Sequence, residues 1–479
     1  RYNVICAAHA HIDMNWMWRW DETVAITLDT FRTMLNLMQE SPDFNFSQSQ
    51  ASVYQIVEQY DPDMLAEIRQ RVKQGRWEVT AATWVEADKN MPNGESAARH
   101  LLYTRRYLKQ LLDLQDQDFQ FDFEPDTFGH HSNIPEILAD GGVKYYYHCR
   151  GDKGHNLHRW HAPSGRSIIV YREPSWYLGY IDPGLALYAP AFCQKYGLDT
   201  ILKVYGVGDH GGGPTRRDVE RLLDMAAWPV FPTIRFGTFG EYFNEVAQVA
   251  DQLPLVEGEL NFIFTGCYTS QSRIKRANRL SEASLHTSET FSALACLQGI
   301  SYPAEKYAHA WKNTLFNQFH DIIPGSGVID TREYALGLFQ DTMAIASSQK
   351  RCAFNALTGD TDQFQADPAT KDPQAISEGA GVGFGVEEFR LSQVSRGAGK
   401  RRLFHIFNPA PWPRQEVVEM VVWDWQGDVQ RLTLDDENGD ALPYQIVDQG
   451  WNNYWGHKYL RVLVQATVPA CGYGSVVLS

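Results

Sequence analysis

The chain has 479 residues, is 44% hydrophobic and carries a net charge of −15. This composition can bury more than one core but offers no broad basic field for nucleic acid or an anionic membrane. No apolar run approaches the length of about 20 residues that a membrane-spanning helix needs. The seven cysteines are scattered without a CxxC pair, which argues against a zinc knuckle and suits a reducing compartment. We therefore expect a cytoplasmic protein without nucleic-acid or membrane partners, and leave homo-oligomer formation open.

Residues 1–272 alternate strand and helix patterns, beginning with a buried-type strand in "RYNVICAA" and a helix from about Thr23 to Glu40. Further strands are predicted at "FNFSQSQ", "RWEVTAATW", "FQFDFE", "VKYYYHCR", "RSIIVYRE", "ILKVYGVG" and "FPTIRFGT". Repeated β–α alternation is typical of a parallel sheet. We predict an α/β catalytic domain with a barrel-like parallel sheet of about seven strands.

The pattern changes after about residue 272. Three long helical stretches with short connections predict an antiparallel three-helix bundle over residues 273–370. A segment that begins in the last part of this predicted bundle and extends past it, residues 357–400, is rich in Gly, Asp, Gln and Ser. Short strands with turn residues then predict the start of an all-β sandwich domain over residues 371–479.

Polar side chains collect where predicted strands end, which is the edge at which parallel α/β folds bind ligands. The residues that follow strands are His9, His11 and Asp13; Trp84, Glu86, Asp88 and Asn90; Asp126, Phe128, His130 and His131; Arg150; and Asp209 with His210. Five such groups at one edge predict a catalytic or ligand site, although each group alone is a weak indication.

His11 and Asp13 are two residues apart, so in an extended segment they point the same way and can converge on one cation. Imidazole and carboxylate are ligands that suit Zn²⁺. The alternative is a solvated polar strand end. His9 shares the alternation and is interpreted as supporting the ligands, and Trp18 as a core residue.

Three other motifs each allow two interpretations. Asp126 in "EPDTFGHH" is either a nucleophile or metal ligand, or else a turn aspartate. His320 and Asp321 in "FNQFHDIIPG" lie between buried-type residues at a helix end, where a protonated histidine is also stabilised. "GDHGGGPT" lacks the spacing of a nucleotide-binding loop, so a flexible loop presenting Asp209 over a pocket is favoured.

Together, "HAHIDMNWMW", "EPDTFGHH", "GVGDHGGGPT", "NFIFTGCYTSQSRIKRANR" and "FNQFHD" closely resemble glycoside hydrolase family 38, the α-mannosidases, in its bacterial and cytosolic-type branch. The resemblance implies a retaining α-mannosidase with one catalytic Zn²⁺ that binds the 2- and 3-hydroxyls of mannose. Its implied metal ligands are His11, Asp13, Asp126 and His320.

The same resemblance implies that Asp126 is also the nucleophile and that Asp209 is the general acid/base. It further implies sugar contacts by Trp16 and Phe128, an arginine beside the nucleophile at Arg150, and a substrate-hydroxyl contact by Asp321. Relative to the family, we expect the chain to lack an N-terminal domain and most of the β-sandwich region, and therefore to hydrolyse poorly by itself.

Two other functions stay open at this point. Another zinc-dependent carbohydrate hydrolase, such as a deacetylase, also needs His and Asp ligands but uses metal-bound water and no separate nucleophile. A non-catalytic carbohydrate-binding protein would use the abundant aromatic residues, 14 Trp and 23 Tyr, but needs no paired carboxylates. The expected partner in the favoured case is an α-mannoside oligosaccharide or a small mannosyl conjugate.

Overall fold

The computed structural model describes residues 2–261, 263–358, 401–425, 427–452 and 457–479. The chain divides into two compact units, one formed by Arg1–Leu285 with Ala304–Ile345 and the other by His286–Pro303 with Ala346–Ser479. The predicted domain boundaries near residues 272 and 370 stay predictions, and the second lies outside the described residues.

In chain order, the strands and helices up to residue 272 are β1 (Asn3–Ala8), α1 (Trp20–Glu40), β2 (Phe46–Gln48), α2 (Ala51–Tyr60), α3 (Pro62–Lys73), β3 (Trp77–Val79), α4 (Gly94–Leu112), β4 (Phe121–Glu124), α5 (Ile134–Asp140), β5 (Tyr145–His148), β6 (Leu157–His161), β7 (Ser167–Arg172), α6 (Leu185–Tyr196), β8 (Thr200–Tyr205), α7 (Arg216–Ala226), β9 (Thr233–Phe236), α8 (Phe239–Val246) and β10 (Leu255–Glu257). The remaining elements are α9 (Ser272–Cys296), α10 (Ala304–Phe316), α11 (Ile329–Thr358), β11 (Arg402–Asn408), β12 (Arg414–Trp423), β13 (Leu434–Asp436), β14 (Tyr444–Asn452), β15 (His457–Val468) and β16 (Gly472–Leu478).

The first strand lies in the middle of an all-parallel sheet of order β8-β1-β9. Five of its six residues are buried, as a strand covered on both faces requires. The helix α1 buries a helically spaced apolar face that includes Phe31, Met34 and Met38, and Phe31 packs against Phe46 of β2 and Trp77 of β3. Because β1 and β8 are parallel neighbours, they end at the same edge of the sheet.

A second sheet of order β10-β6-β7-β5-β4 is mixed, which corrects the all-parallel prediction. β4, β5 and β7 are parallel, but β6 and β7 are antiparallel. Only residues 162–166 connect β6 to β7, and a connection this short allows a hairpin but no parallel crossover. The sequence also predicted no strand at β6 or β10. Among the described strands, closure into a barrel of about seven strands stays a prediction.

The three predicted long helices are present as α9, α10 and α11. Within the first unit, Asn313 of α10 donates a hydrogen bond to Asp341 of α11 at 2.9 Å, and Thr342 of α11 donates to the carbonyl oxygen of Ala310. Their arrangement as an antiparallel three-helix bundle stays a prediction. No helix among the described residues combines the length and the hydropathy needed to cross a bilayer.

The later strands form two antiparallel three-stranded sheets, β11-β16-β13 and β12-β15-β14. Side chains of both sheets, among them Val422, Val462 and Val464 from one and Leu434 and Val476 from the other, share one buried cluster. Burial of one face of each sheet against the other is the arrangement of a β-sandwich, which agrees with the predicted all-β segment.

Candidate active site and metal-ligating cluster

Two loops emerge side by side from the parallel strands β1 and β8. β1 leads into His9–Asp13, and β8 leads into the glycine-rich loop that carries Asp209. The backbone N–H of Asp13 donates to the carbonyl oxygen of Asp209 at 2.9 Å. Asp209 has a φ of +64°, a left-handed conformation that is strained for a residue with a side chain. This backbone hydrogen bond thus joins the two loops at Asp13 and Asp209.

The parallel strands β4, β5 and β7 bring three more groups to one edge. Asp126 follows β4, Arg150 follows β5, and Tyr177 follows β7. The guanidinium group of Arg150 contacts the carboxylate of Asp126, and its Nε also donates to the carbonyl oxygen of Asp126 at 3.1 Å. Tyr177 Oη lies 3.2 Å from Oδ2 of Asp126 and 2.5 Å from Oδ1 of Asp209. These two carboxylate oxygens are therefore at most 5.7 Å apart.

His320 and Asp321 reach the site from the turn after α10. The imidazole of His320 is fully buried, and its Nδ1 lies 2.8 Å from the carbonyl oxygen of Glu86. Its Nε2 lies 3.5 Å from Oδ1 of Asp13 and 3.7 Å from Oδ2 of Asp321. Ser326 donates a hydrogen bond to the other carboxylate oxygen of Asp321. The helix end therefore supplies an imidazole and a carboxylate to the same cluster.

The four side chains predicted to ligate a metal are brought together. Ligand atoms of His11, Asp126 and His320 lie within 4.8 Å of one another, as do those of Asp13, His320 and Asp321 and those of His11, Asp13 and Asp209. His11 Nε2 is also 2.9 Å from Asp13 Oδ1. Two imidazoles and several carboxylates form a nitrogen and oxygen donor set of the kind that binds Zn²⁺.

Unsatisfied buried atoms indicate that these residues fit a cation. Nε2 of His11, Nε2 of His320 and Oδ1 of Asp13 are buried and make no hydrogen bond of good geometry with the described residues. Nδ1 of His11 is likewise without a well-aligned hydrogen bond, but it lies 2.7 Å from Oε2 of Glu86, an ion-pair contact. Buried polar atoms are normally satisfied, and a shared metal ion would satisfy the two Nε2 atoms and Oδ1 together.

The electrostatics of the cluster point the same way. Burial raises the pKa of Asp126, while His320, His11 and Arg150 pull it down. Burial and the nearby charge of Asp13 raise the pKa of Asp321 to about 7. The pKa of His320 rises to about 9, because its contacts with Asp13 and Asp321 outweigh burial. Without a metal, Asp126, Asp321 and His320 thus hold protons more readily than usual, as expected where several carboxylates share one buried site.

A cavity of about 610 Å³ opens over the cluster. Seven of the predicted site residues line it, namely Asp13, Trp16, Asp126, Phe128, Arg150, Asp209 and Asp321. His11 and His320 are fully buried and do not line the cavity. Every predicted site residue therefore lies in the cavity wall or in the ligand cluster next to it.

The sequence interpretation missed three aromatic residues of the cavity wall: Trp176, Tyr177 and Phe264. The guanidinium carbon of Arg150 lies 4.9 Å from the ring centre of Trp176, 4.7 Å from that of Phe264 and 5.1 Å from that of Phe128. Trp176 and Tyr177 follow strand β7, so the rule that placed the other groups at strand ends could have found them. An aromatic residue carries no chemical indication of its own, because most aromatic residues belong to cores.

Two interpretations near the site need adjustment. Trp18 is half-buried and contacts the ring of His210 at 4.6 Å, so it lies beside the Asp209 loop rather than in a core. The ring of His9 is buried against Phe123 at 4.1 Å, and burial lowers its pKa well below the usual value. Nε2 of His9 makes no hydrogen bond with the described residues, and support of the ligands by His9 stays a prediction.

Comparisons with known proteins identify the family of the chain. Residues 1–259 match the family model "Glycosyl hydrolases family 38 N-terminal domain", and residues 263–349 match "Alpha mannosidase middle domain". The chain is 29% identical over 365 residues to alpha-mannosidase G of Dictyostelium discoideum, an alignment that covers 74% of this chain and 33% of that protein. It is 28% identical over 369 residues to human alpha-mannosidase 2C1, covering 74% of this chain and 35% of that one.

The crystal structure of an alpha-mannosidase from Enterococcus faecalis V583 has the same fold, with a TM-score of 0.74 and 19% identity. That superposition covers all of this chain and 56% of the solved chain. The chain thus spans about a third of the length of the curated relatives named above. Because one family model matches more than half of the chain, the chain belongs to glycoside hydrolase family 38.

Proposed function

We propose that the protein is a zinc-dependent retaining α-mannosidase that removes terminal α-linked mannose through a covalent mannosyl-enzyme on Asp126. The observation that carries the proposal is the pair of carboxylates bridged by Tyr177. Oxygens of Asp126 and Asp209 are at most 5.7 Å apart. Retaining glycosidases place their two carboxyl groups about 5–5.5 Å apart, whereas inverting enzymes need about 6.5–9.5 Å to admit a water.

In the first step, an Asp126 oxygen forms a bond to the anomeric carbon as the bond from that carbon to the glycosidic oxygen breaks. Asp209 donates its proton to the departing oxygen, so the aglycone leaves as an alcohol. In the second step, the Asp209 carboxylate takes a proton from water, and the water oxygen displaces Asp126 from the anomeric carbon. Two inversions give mannose with retained configuration.

The surroundings of Asp126 support its role as the attacking group. Burial raises the pKa of its carboxyl, and the positive groups His320, His11 and Arg150 counteract this rise. Contacts from Arg150 and from Tyr177 fix the position of both carboxylate oxygens. A nucleophile that is ionised and held in one orientation is what displacement at the anomeric carbon requires.

One Zn²⁺ would be held by His11, Asp13, Asp126 and His320, the atoms of which converge in the structure. When bound, the metal ion supplies positive charge that keeps the nearby carboxylates ionised and orients sugar hydroxyls. The unsatisfied Nε2 atoms of the two histidines support this assignment.

The cavity wall offers the contacts that a mannose ring needs. Trp16 and Phe128 present aromatic surface, and Asp321 presents a carboxylate oriented by Ser326 that can accept a hydroxyl hydrogen bond. Arg150 is held among aromatic rings beside the nucleophile. The proposed substrates are α-mannoside oligosaccharides or small mannosyl conjugates, and the proposed location is the cytoplasm.

The test combines metal content with turnover of 4-nitrophenyl α-mannoside, measured with and without a chelator. We expect about one zinc per chain and activity that the chelator abolishes and added Zn²⁺ restores. An activated fluoro-mannoside should label the parent protein on Asp126 and leave Asp126→Ala unlabelled. A deacetylase would form no such adduct, and chelator-insensitive turnover would contradict the zinc assignment.

A further inference from the structure

We infer that Glu86 is a positioning residue that orients both metal-ligating histidines and fixes which of their ring nitrogens faces the metal. The inference rests on the metal site of the proposed function and adds a residue to it. Glu86 is fully buried and does not line the cavity. It therefore acts through the histidines and does not touch the substrate.

Glu86 contacts the two histidines in two different ways. Its side-chain Oε2 lies 2.7 Å from Nδ1 of His11. Its backbone carbonyl oxygen lies 2.8 Å from Nδ1 of His320 and also accepts the backbone N–H of His320 at 3.2 Å. Both Nδ1 atoms thus face one residue, whereas both Nε2 atoms lie within 3.5 Å of Oδ1 of Asp13.

When a cation occupies the cluster on the Nε2 side, this arrangement selects one protonation pattern for both rings. A neutral imidazole carries its proton on one nitrogen, and a partner that accepts a hydrogen bond keeps the proton on the nitrogen facing it. The carboxylate and the carbonyl of Glu86 are acceptors only, so they favour Nδ1–H in His11 and in His320. Each Nε2 is then left with a free lone pair directed at the cluster, as metal ligation requires.

Glu86 is itself held from several sides. The hydroxyl of Ser49 donates to its Oε1, and the backbone N–H of Glu86 donates to Oε1 of Gln50 at 3.1 Å. Nε2 of Gln50 donates in turn to the carbonyl oxygen of Ile12, next to His11. Gln50 has a φ of +65°, a conformation that costs free energy and persists only where surrounding contacts enforce it. The strained backbone of Gln50 thus helps to hold Glu86 against the segment that carries His11.

The test replaces Glu86 by Gln, which keeps the size and removes the negative charge from His11. We expect the Kd for Zn²⁺, measured by competition with a chelator, to rise about 10- to 100-fold, the usual effect of removing such a partner of a ligating histidine. Glu78→Gln is the matched control. Glu78 is a carboxylate on β3 that accepts hydrogen bonds from Ser47, from the backbone N–H of Phe239 and from that of Gly240, and none of its hydrogen-bond partners among the described residues is a histidine. Its replacement should leave the Kd unchanged.

A second measurement does not depend on the variant folding. In Zn²⁺-loaded parent protein labelled with ¹⁵N-histidine, His11 and His320 should both give NMR spectra of the Nδ1–H form. An Nε2–H form of either ring, or a Glu86→Gln Kd within twofold of the parent value, would overturn the inference. If the parent binds no zinc at all, the proposed metal site fails together with this inference. Tight zinc binding with an unaffected Glu86→Gln refutes only the role of Glu86.

Discussion

Replacement of Arg150 by Met tests how the protein keeps its proposed nucleophile ionised. The guanidinium contacts the carboxylate of Asp126 and lies within 5.1 Å of three aromatic ring centres, Phe128, Trp176 and Phe264. Met has a similar length and packs well against aromatic rings. The substitution therefore removes the positive charge and the hydrogen bonds while keeping most of the packing.

The sign and size of the effect follow from the charges around Asp126. Burial raises the pKa of its carboxyl, and Arg150 is one of three positive groups that lower it, after His320 and His11. An adjacent opposite charge lowers a carboxyl pKa by about 1–3 units. Because the two histidines remain, loss of Arg150 removes one of three such charges, and we expect it to raise the pKa of Asp126 further. The nucleophile would then be protonated, and inactive, over a wider acidic range.

The assay is the pH dependence of kcat/KM for 4-nitrophenyl α-mannoside. In Arg150→Met the acid limb should move to higher pH, so that kcat/KM measured on that limb falls by about 10-fold or more relative to the parent. Arg150→Lys keeps the charge but loses the planar fork, so its acid limb should stay in place while its rate falls. Arg32→Met, which removes a partly exposed ion pair with Glu67, is the control. An unmoved acid limb in Arg150→Met would refute the electrostatic explanation.

Two further predictions concern the Asp209 loop and the buried histidines. Nε2 of His210 on this loop lies 2.7 Å from Oε1 of Glu22 on α1, an exposed contact. Glu22→Ala should lower kcat/KM for a mannobioside by about two- to fivefold, the size of effect expected for loss of one exposed polar contact. An equal loss with a dinitrophenyl mannoside, whose leaving group needs no proton from Asp209, would contradict positioning of the acid. Burial lowers the pKa of His158 from 6.5 to about 3, so between these pH values the unfolded state binds one more proton than the folded state, and the free energy of unfolding falls as the pH falls. Between pH 7 and pH 5 this fall should be about 2 kcal/mol smaller in His158→Leu than in the parent. Equal falls of the two proteins in urea unfolding would contradict the prediction.

Local patterns were sufficient for much of the fold. Three patterns each predict the element that forms: the continuous apolar run of β1, the helical spacing in α1 and the long amphipathic stretches of α9 to α11. They do so because burial on two faces leaves a continuous apolar run in the sequence, and burial on one face leaves a periodic one. Strand β6 left no such record, since its sequence "LHRWH" carries three charged or titratable residues and yet pairs with two strands. Its two histidines and one arginine obscure the apolar alternation.

The sequence by itself predicted which polar residues would lie together at the ends of the strands. Polar groups directly after strands identified Asp13, Asp126, Arg150 and Asp209, because all parallel strands end at one edge and no long-range information is needed to say so. All four line the cavity.

Only the tertiary structure decided how these groups are paired. Tyr177 bridges the two carboxylates, and Glu86 reaches His11 with its side chain and His320 with its backbone, although 234 residues separate Glu86 from His320. Such partners share no spacing or periodicity. They meet because strands distant in sequence end side by side, and the contact exists only after the sheets and the turn beyond α10 have assembled.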